Sequence, residues 1–312
     1  MTRLKECYPT VGIAALCPLF GKTRHAWYDA QWRADDQLLK EEIILQIVME
    51  IRTSLPRIGT RKLLHLLTPR LAEHQLEVGR DYLFELLATH KLLVRSRKRK
   101  VVTTDSRHWM RKYSNLTTAL TIVRPEQLWV SDITYIRLTN GFAYLSLITD
   151  AYSRKIMGYH LSKSLSADGC VAALKMALAA RMYPAAHALI HHSDRGAQYC
   201  CKDYVGLLAG NKIAISMTQN GDPYENALAE RVNGIIKGEF NLYSSAVGFE
   251  QTGLLVQTAL HAYNELRPHA SCDYLTPQQA HLQSGVLTKR WKHYPQHDQS
   301  KNKTQTIHTP NP

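Results

Sequence analysis

The sequence predicts an α/β domain built on a mixed sheet, preceded by an all-α region of helix-turn-helix type. Three observations predict it. From Pro125 the chain turns to β-rich runs, LWVSDITYIRL and FAYLSLITD, with Asn140-Gly141 between them as a hairpin signal. After a third run, RKIMGYHLS, helical and strand patterns alternate, which requires strands of both orientations in one sheet. Before Pro125 the periodicity is helical and is broken at Gly21, Pro56 and Gly59.

Residues 1–55 read as a helical unit. VGIAALCPLF, Gly21 and KTRHAWYDAQW follow the order of a helix-turn-helix, and a charged helix, DDQLLKEEIILQIVMEIRTSL, ends before Pro56. Residues 56–94 form a second helical module. There Arg61 and Lys62 open a helix carrying Leu63, Leu64, Leu66 and Leu67, and GRDYLFELLATHKLLV makes another. Arg61 and Lys62, with Arg80 and His90, are candidate phosphate contacts. Residues 95–123 read as a basic linker whose Arg95, Arg97, Lys98, Arg99 and Lys100 place five cations in six positions, a pattern suited to tracking a phosphate backbone.

Residues 124–285 read as the α/β domain: three antiparallel strands, a helix over SADGCVAALKMALAARMY, a buried strand at ALIHHSD, a helix at KDYVGLLAG, a strand at KIAISMT and two final helices. Residues 286–312 are polar, poor in apolar side chains and expected to be disordered.

Composition narrows the function. A net charge of +13 over 312 residues favours a polyanionic partner, because each neutralised phosphate releases condensed counterions. The six cysteines contain no C-x-x-C pair, which speaks against a structural zinc site and a disulfide framework. Neither a signal peptide nor an apolar run of membrane-spanning length is present, so a reduced, cytoplasmic protein without membrane contact is expected.

Three acids stand out. Asp132 closes the run LWVSD, Asp194 closes ALIHHSD before Gly196, and Glu230 lies on a helix with 35 residues between it and Asp194. Acids at the ends of neighbouring strands face one crevice. At 3.6 residues per turn Leu228, Val232, Ile235 and Ile236 form that helix's packing face, leaving Glu230, Asn233 and Lys237 on a polar stripe toward DNA. Carboxylates gathered so closely repel unless a hard cation such as Mg²⁺ neutralises them. Asp132, Asp194 and Glu230 are therefore candidate catalytic residues and metal ligands, and a two-ion arrangement suits displacement at phosphorus.

The stretches WVSDITYI, LITDAYSRKIMGY, HHSDRGAQY and DPYENALAERVNGIIKGE resemble the DDE transposases of bacterial insertion sequences and the retroviral-type integrases, over roughly residues 124 to 285. The likeness is to the second-reading-frame product of two-frame elements. It implies a ribonuclease-H-like fold, the triad Asp132, Asp194 and Glu230, a DNA-contacting Lys237, and Mg²⁺ or Mn²⁺. It further implies cleavage and joining of DNA at element ends, a homo-oligomer on DNA that associates with the nucleoid, and an upstream-frame partner or fusion. Glu225 and Arg195 depart from the pattern outside the triad. The alternatives are a hydrolytic nuclease of the same fold without joining activity, and a non-catalytic DNA-binding repressor.

Other residues read as structural. His192 shares a strand face with Asp194 and is expected to be hydrogen-bonded, Asp150 to hold a turn, and Cys200 and Cys201 to fill space. Gln219 to Asp222 form a loop at the edge of the site. Arg267 and His269 are placed near DNA, and Tyr263, Leu266 and Leu275 in the core.

Overall fold

The computed structural model describes residues 2–95, 109–118, 120–183, 187–219, 226–243 and 247–290. Helices α1 (Thr2–Cys7) and α2 (Ile13–Leu16) and a 3-10 turn over Cys17–Phe20 lead to Gly21, whose φ of +60° reverses the chain. Helix α3 (Arg24–Ser54) begins behind Thr23, whose hydroxyl oxygen accepts the Ala26 amide at 3.1 Å. The two helices expected between Lys22 and Leu55 are one 31-residue helix. Neither Pro nor Gly occurs within it, so nothing halts propagation. Its buried residues, Ile44, Ile47, Val48 and Ile51, all lie in the C-terminal half. The expected helix-turn-helix is thus a short helix before a long rod.

Helices α4 (Thr60–Glu73) and α5 (Arg80–Thr89) pack Leu63, Leu67, Leu71, Leu83 and Leu87 against that half of α3. Helix α5 ends earlier than its apolar pattern, because Lys91 takes φ +57° and turns the chain.

The core carries β1 (Leu128–Arg137), β2 (Phe142–Asp150), β3 (Ile156–Ser162), α6 (Ala167–Ala179), β4 (Ile190–Ser193), α7 (Ala197–Cys200), α8 (Lys202–Gly210), β5 (Ala214–Met217), α9 (Ala227–Glu239), α10 (Phe249–Glu265) and α11 (Pro277–His281). The strand order is β3-β2-β1-β4-β5, antiparallel through β1 and parallel beyond it, with helices on both faces. That is the ribonuclease-H-like arrangement. The β1–β2 loop has four residues, with Arg137 paired to Phe142, and within Asn140-Gly141 only the glycine has positive φ, at +89°. The hairpin expected at Thr139-Asn140-Gly141 therefore forms, with Leu138 added to its loop.

On one face Trp129, Ile148 and Met157 pack on α6 and α8. Contact is close at Gly158, where a Cβ would stand 2.2 Å from the Ala173 carbonyl oxygen. On the other face Ile136, Leu145 and Leu147 meet Val232, Ile235 and Ile236 of α9 and Leu260 and Tyr263 of α10, a cluster continuous with the helical module. Leu266, expected in the core, is 43% exposed, whereas Tyr263 is buried.

Two predicted boundaries shift. Met110, Tyr113, Leu120 and Ile122, inside the expected linker, pack on the core, and the Leu116 amide donates to Ser216 Oγ at 2.8 Å. Arg290 donates its amide to the Ala270 carbonyl at 2.9 Å, so the core runs past residue 285. Among the described residues no helix is long and apolar enough to cross a membrane.

Candidate active site

Strand register brings the two aspartates together. Parallel pairing of β1 with β4 runs Leu128–Ile190, Trp129–His191 and Val130–His192. Two residues further along both chains, the same alignment sets Asp132 beside Asp194. Asp132 is not at the end of β1, as its sequence suggests, but in its middle, since β1 continues to Arg137 along β2. It is a strand end only on the β4 side, where the partner strand stops at Ser193.

Asp132 shares its face of β1 with Leu128 and Val130, which pack on Ala229 of α9. Its carboxylate is held at both oxygens. The Ile133 amide donates to Oδ1 at 2.9 Å and Asn233 Nδ2 donates to Oδ2 at 2.7 Å. Burial and then the negative charge of Asp194 push this carboxyl up to about 7, with a smaller push from Glu230 against the two hydrogen bonds. Asp194 accepts the Gly196 amide on Oδ1 at 3.0 Å, and a side chain at Gly196 would press on that same oxygen. Glu230 lies in the first turn of α9 and is exposed. Asp194 and Glu230 thus both act electrostatically on Asp132, yet among the described residues no three His, Cys, Asp or Glu side chains stand close enough to hold one ion.

Asn226 and His191 steady the floor. Asn226 Nδ2 donates to the Ser131 carbonyl at 3.1 Å, linking the start of α9 to β1. His191 is fully buried, with Nε2 2.7 Å from Ser131 Oγ and 2.8 Å from Tyr204 Oη, and burial pulls its pKa down to about 3. It is neutral at physiological pH. His192 is buried with Nδ1 2.8 Å from Ser216 Oγ. Asp150 accepts from the Glu126 and Ser153 amides and the Ser153 hydroxyl, so it holds a turn.

Two models described as an integrase core domain match residues 123–223 and 211–277. The insertion element IS600 31 kDa protein of Shigella sonnei is 32% identical over 84% of this chain and 96% of its own length. The transposase for IS629 from the same organism is 31% identical over 68% of this chain and 70% of its own. The chain belongs to the insertion-sequence transposases. The HTLV-2 integrase catalytic core domain solved in complex with magnesium aligns over 51% of this chain and 97% of its own, at 20% identity and a TM-score of 0.41, too loose a likeness to bear on chemistry.

The candidate DNA-contacting residues of this transposase fall into different environments. Asn233 is 4% exposed and spent on Asp132, so it is not on a solvent-facing stripe. Lys237 is partly buried with Nζ 5.2 Å from the Tyr243 ring centre. Lys62 lies 3.7 Å from Glu239 Oε1, and burial and then Arg267 hold its pKa below the usual lysine range. Arg61 and Arg95 are exposed, while Arg97, Lys98, Arg99 and Lys100 lie outside the described residues, as do Asn220, Gly221 and Asp222 of the expected edge loop.

Arg267, placed near DNA from its sequence, is 1% exposed and donates Nε and Nη2 to Glu239 at 2.7 and 2.8 Å. Charge alone reads as surface, but this guanidinium ties α10 to the end of α9. His269 instead bonds Ser271 Oγ at 2.7 Å. Cys200 is buried against Met217, and burial pushes its thiol up, which suits a packing role.

Proposed function

We propose that this transposase is of the DDE type, with Asp132, Asp194 and Glu230 holding two divalent ions, Mg²⁺ or Mn²⁺, to cleave and join DNA at the ends of its element. The observation that carries the reading is the Asp132 carboxyl, whose pKa is pushed to about 7 by burial and by two neighbouring acids. Such a site favours either a proton or a cation, and a hard cation relieves all three charges at once. The donor set fits: all are carboxylate oxygens, and each Asp132 oxygen accepts one hydrogen bond and keeps capacity for an ion. Glu230, exposed on α9, closes the set by reorienting its side chain.

Asp132, Asp194 and Glu230 would hold the divalent ions, whose chemistry would be to make the attacking oxygen more nucleophilic and to offset charge on the leaving one. The protein orients. Asn233 and the Ile133 amide fix the Asp132 plane, the Gly196 amide fixes Asp194, and Asn226 holds the start of α9 against β1. In cleavage, water attacks phosphorus and the strand leaves with a 3′-hydroxyl. In joining, that hydroxyl attacks a target phosphate, breaking one phosphodiester as another forms. Bringing two ends together calls for a homo-oligomer on DNA in the nucleoid, with an upstream-frame product as a further partner or fusion.

The test supplies the protein with a duplex bearing the element's terminal repeat, target DNA and Mg²⁺. Joined product is expected from the wild type, and Asp194→Asn should make none while binding the duplex with similar affinity. Hydrolysis without any joining would favour a nuclease. Joining by the Asn variant at the wild-type rate would remove Asp194 from the chemistry.

A further inference from the structure

We propose that a cleft where the ends of α3 and α5 meet is a binding site for a backbone phosphate of DNA; this rests on the reading above that the protein acts on DNA. The cleft, about 490 Å³, is lined by Arg52, Arg57, Lys91 and Arg95, with Pro56 and Leu92 among its apolar wall and no acidic side chain in the lining. Four cations converge without a carboxylate. They gather at and just beyond the last turns of two helices, whose C-terminal carbonyls favour positive charge.

Arg52 is the telling residue. Its Nε and Nη2 are shielded from solvent, and among the described residues neither has an acceptor. A guanidinium desolvated in this way loses water without compensation. Arg57 adds like charge, and burial followed by that charge lowers the Arg52 pKa. Turned into the cleft, the edge carrying Nε and Nη2 would match two oxygens of a phosphate and gain the acceptors it lacks. Across the cleft Arg57 Nη2 donates to the Arg95 carbonyl at 3.2 Å, which draws the start of the basic run to the rim.

The cleft is also tied to the catalytic helix. The Arg57 amide donates to the Glu239 carbonyl at 3.0 Å, at the end of the helix that carries Glu230. A phosphate seated here fixes the duplex relative to the acids while reading no sequence, as backbone contacts do.

The test uses the full chain and a duplex of arbitrary sequence, with affinity measured across a salt series for wild type, Arg52→Gln, Arg57→Gln and Lys175→Gln, the last an exposed cation on α6. Arg52→Gln and Arg57→Gln should each weaken binding about tenfold and reduce the slope of log affinity against log salt by about one, equally for every sequence, while Lys175→Gln changes neither. Without DNA, Arg52→Gln should melt at the wild-type temperature or above it, because a half-buried cation with two unpaired nitrogens has been removed. Unchanged affinity and slope would overturn the proposal. So would lost affinity accompanied by a lower melting temperature, which would make Arg52 structural. Stabilisation of wild type but not Arg52→Gln by inorganic phosphate, with duplex affinity unaltered, would make the cleft a free-anion site and overturn the DNA assignment. A wild-type protein with no duplex affinity would instead overturn the function proposed above, and this assignment with it.

Discussion

Asp132 concentrates the chemistry in one carboxyl. Its pKa in the folded protein, about 7, exceeds that of an unfolded aspartate near 4, so its stabilising contribution is complete below about pH 4 and is lost as pH rises through about 7. Metal-free protein should therefore lose stability over that window, by a few kcal/mol at most, and Asp132→Asn should flatten the loss. Thermal melts of both proteins from pH 4 to 8 check this. Mg²⁺ must displace the proton at lower pH, so its affinity should climb toward pH 7 and then level off, as calorimetry at several pH values would show. Asn233 orients the same carboxylate from a buried amide. Asn233→Ala should cost about 10- to 100-fold in metal affinity or joining rate while leaving duplex affinity near wild type, measured side by side.

At the scale of elements, the site depends on two alignments. Parallel register sets Asp132 beside Asp194, and α9 lies across β1 with Asn226 and Asn233 pinned to it. Much of this was legible in the sequence. Two apolar runs ending in Asp and a helix with Val232, Ile235 and Ile236 on one side indicated which residues would meet. The side of Asn233 was not legible, because a helical repeat separates polar from apolar residues and cannot register that a buried carboxylate awaits an amide. The single α3 was missed because a change from charged to apolar texture resembles a boundary where the backbone has none. Gly158 is required by close packing of β3 on α6 rather than by its φ. Gly158→Ala should destabilise the fold by about 1–3 kcal/mol or more, read by chemical denaturation.

Across the whole molecule, the helical module and the catalytic core share one apolar cluster and one ionic clasp. Burial pushes the Glu239 carboxyl up, yet Arg267, Lys62 and Arg231 hold it below the usual range, so it stays charged beneath α4. Arg267 was misread from sequence because a lone cation carries no sign of its buried partner. Arg267→Ala should cost about 3–5 kcal/mol in unfolding free energy, since it removes a buried guanidinium and leaves the part-buried Glu239, among the described residues, with only Lys62 within ion-pair distance. The clasp and the Arg57–Glu239 hydrogen bond place the cationic face and the acids in one frame, so that binding a duplex also positions its end. The most direct measurement of that account is anomalous diffraction at the manganese edge from crystals of the protein with a terminal-repeat duplex and Mn²⁺. The account predicts two manganese peaks ligated by Asp132, Asp194 and Glu230 beside the scissile phosphate; manganese bound elsewhere, with these carboxylates still apart, would contradict it.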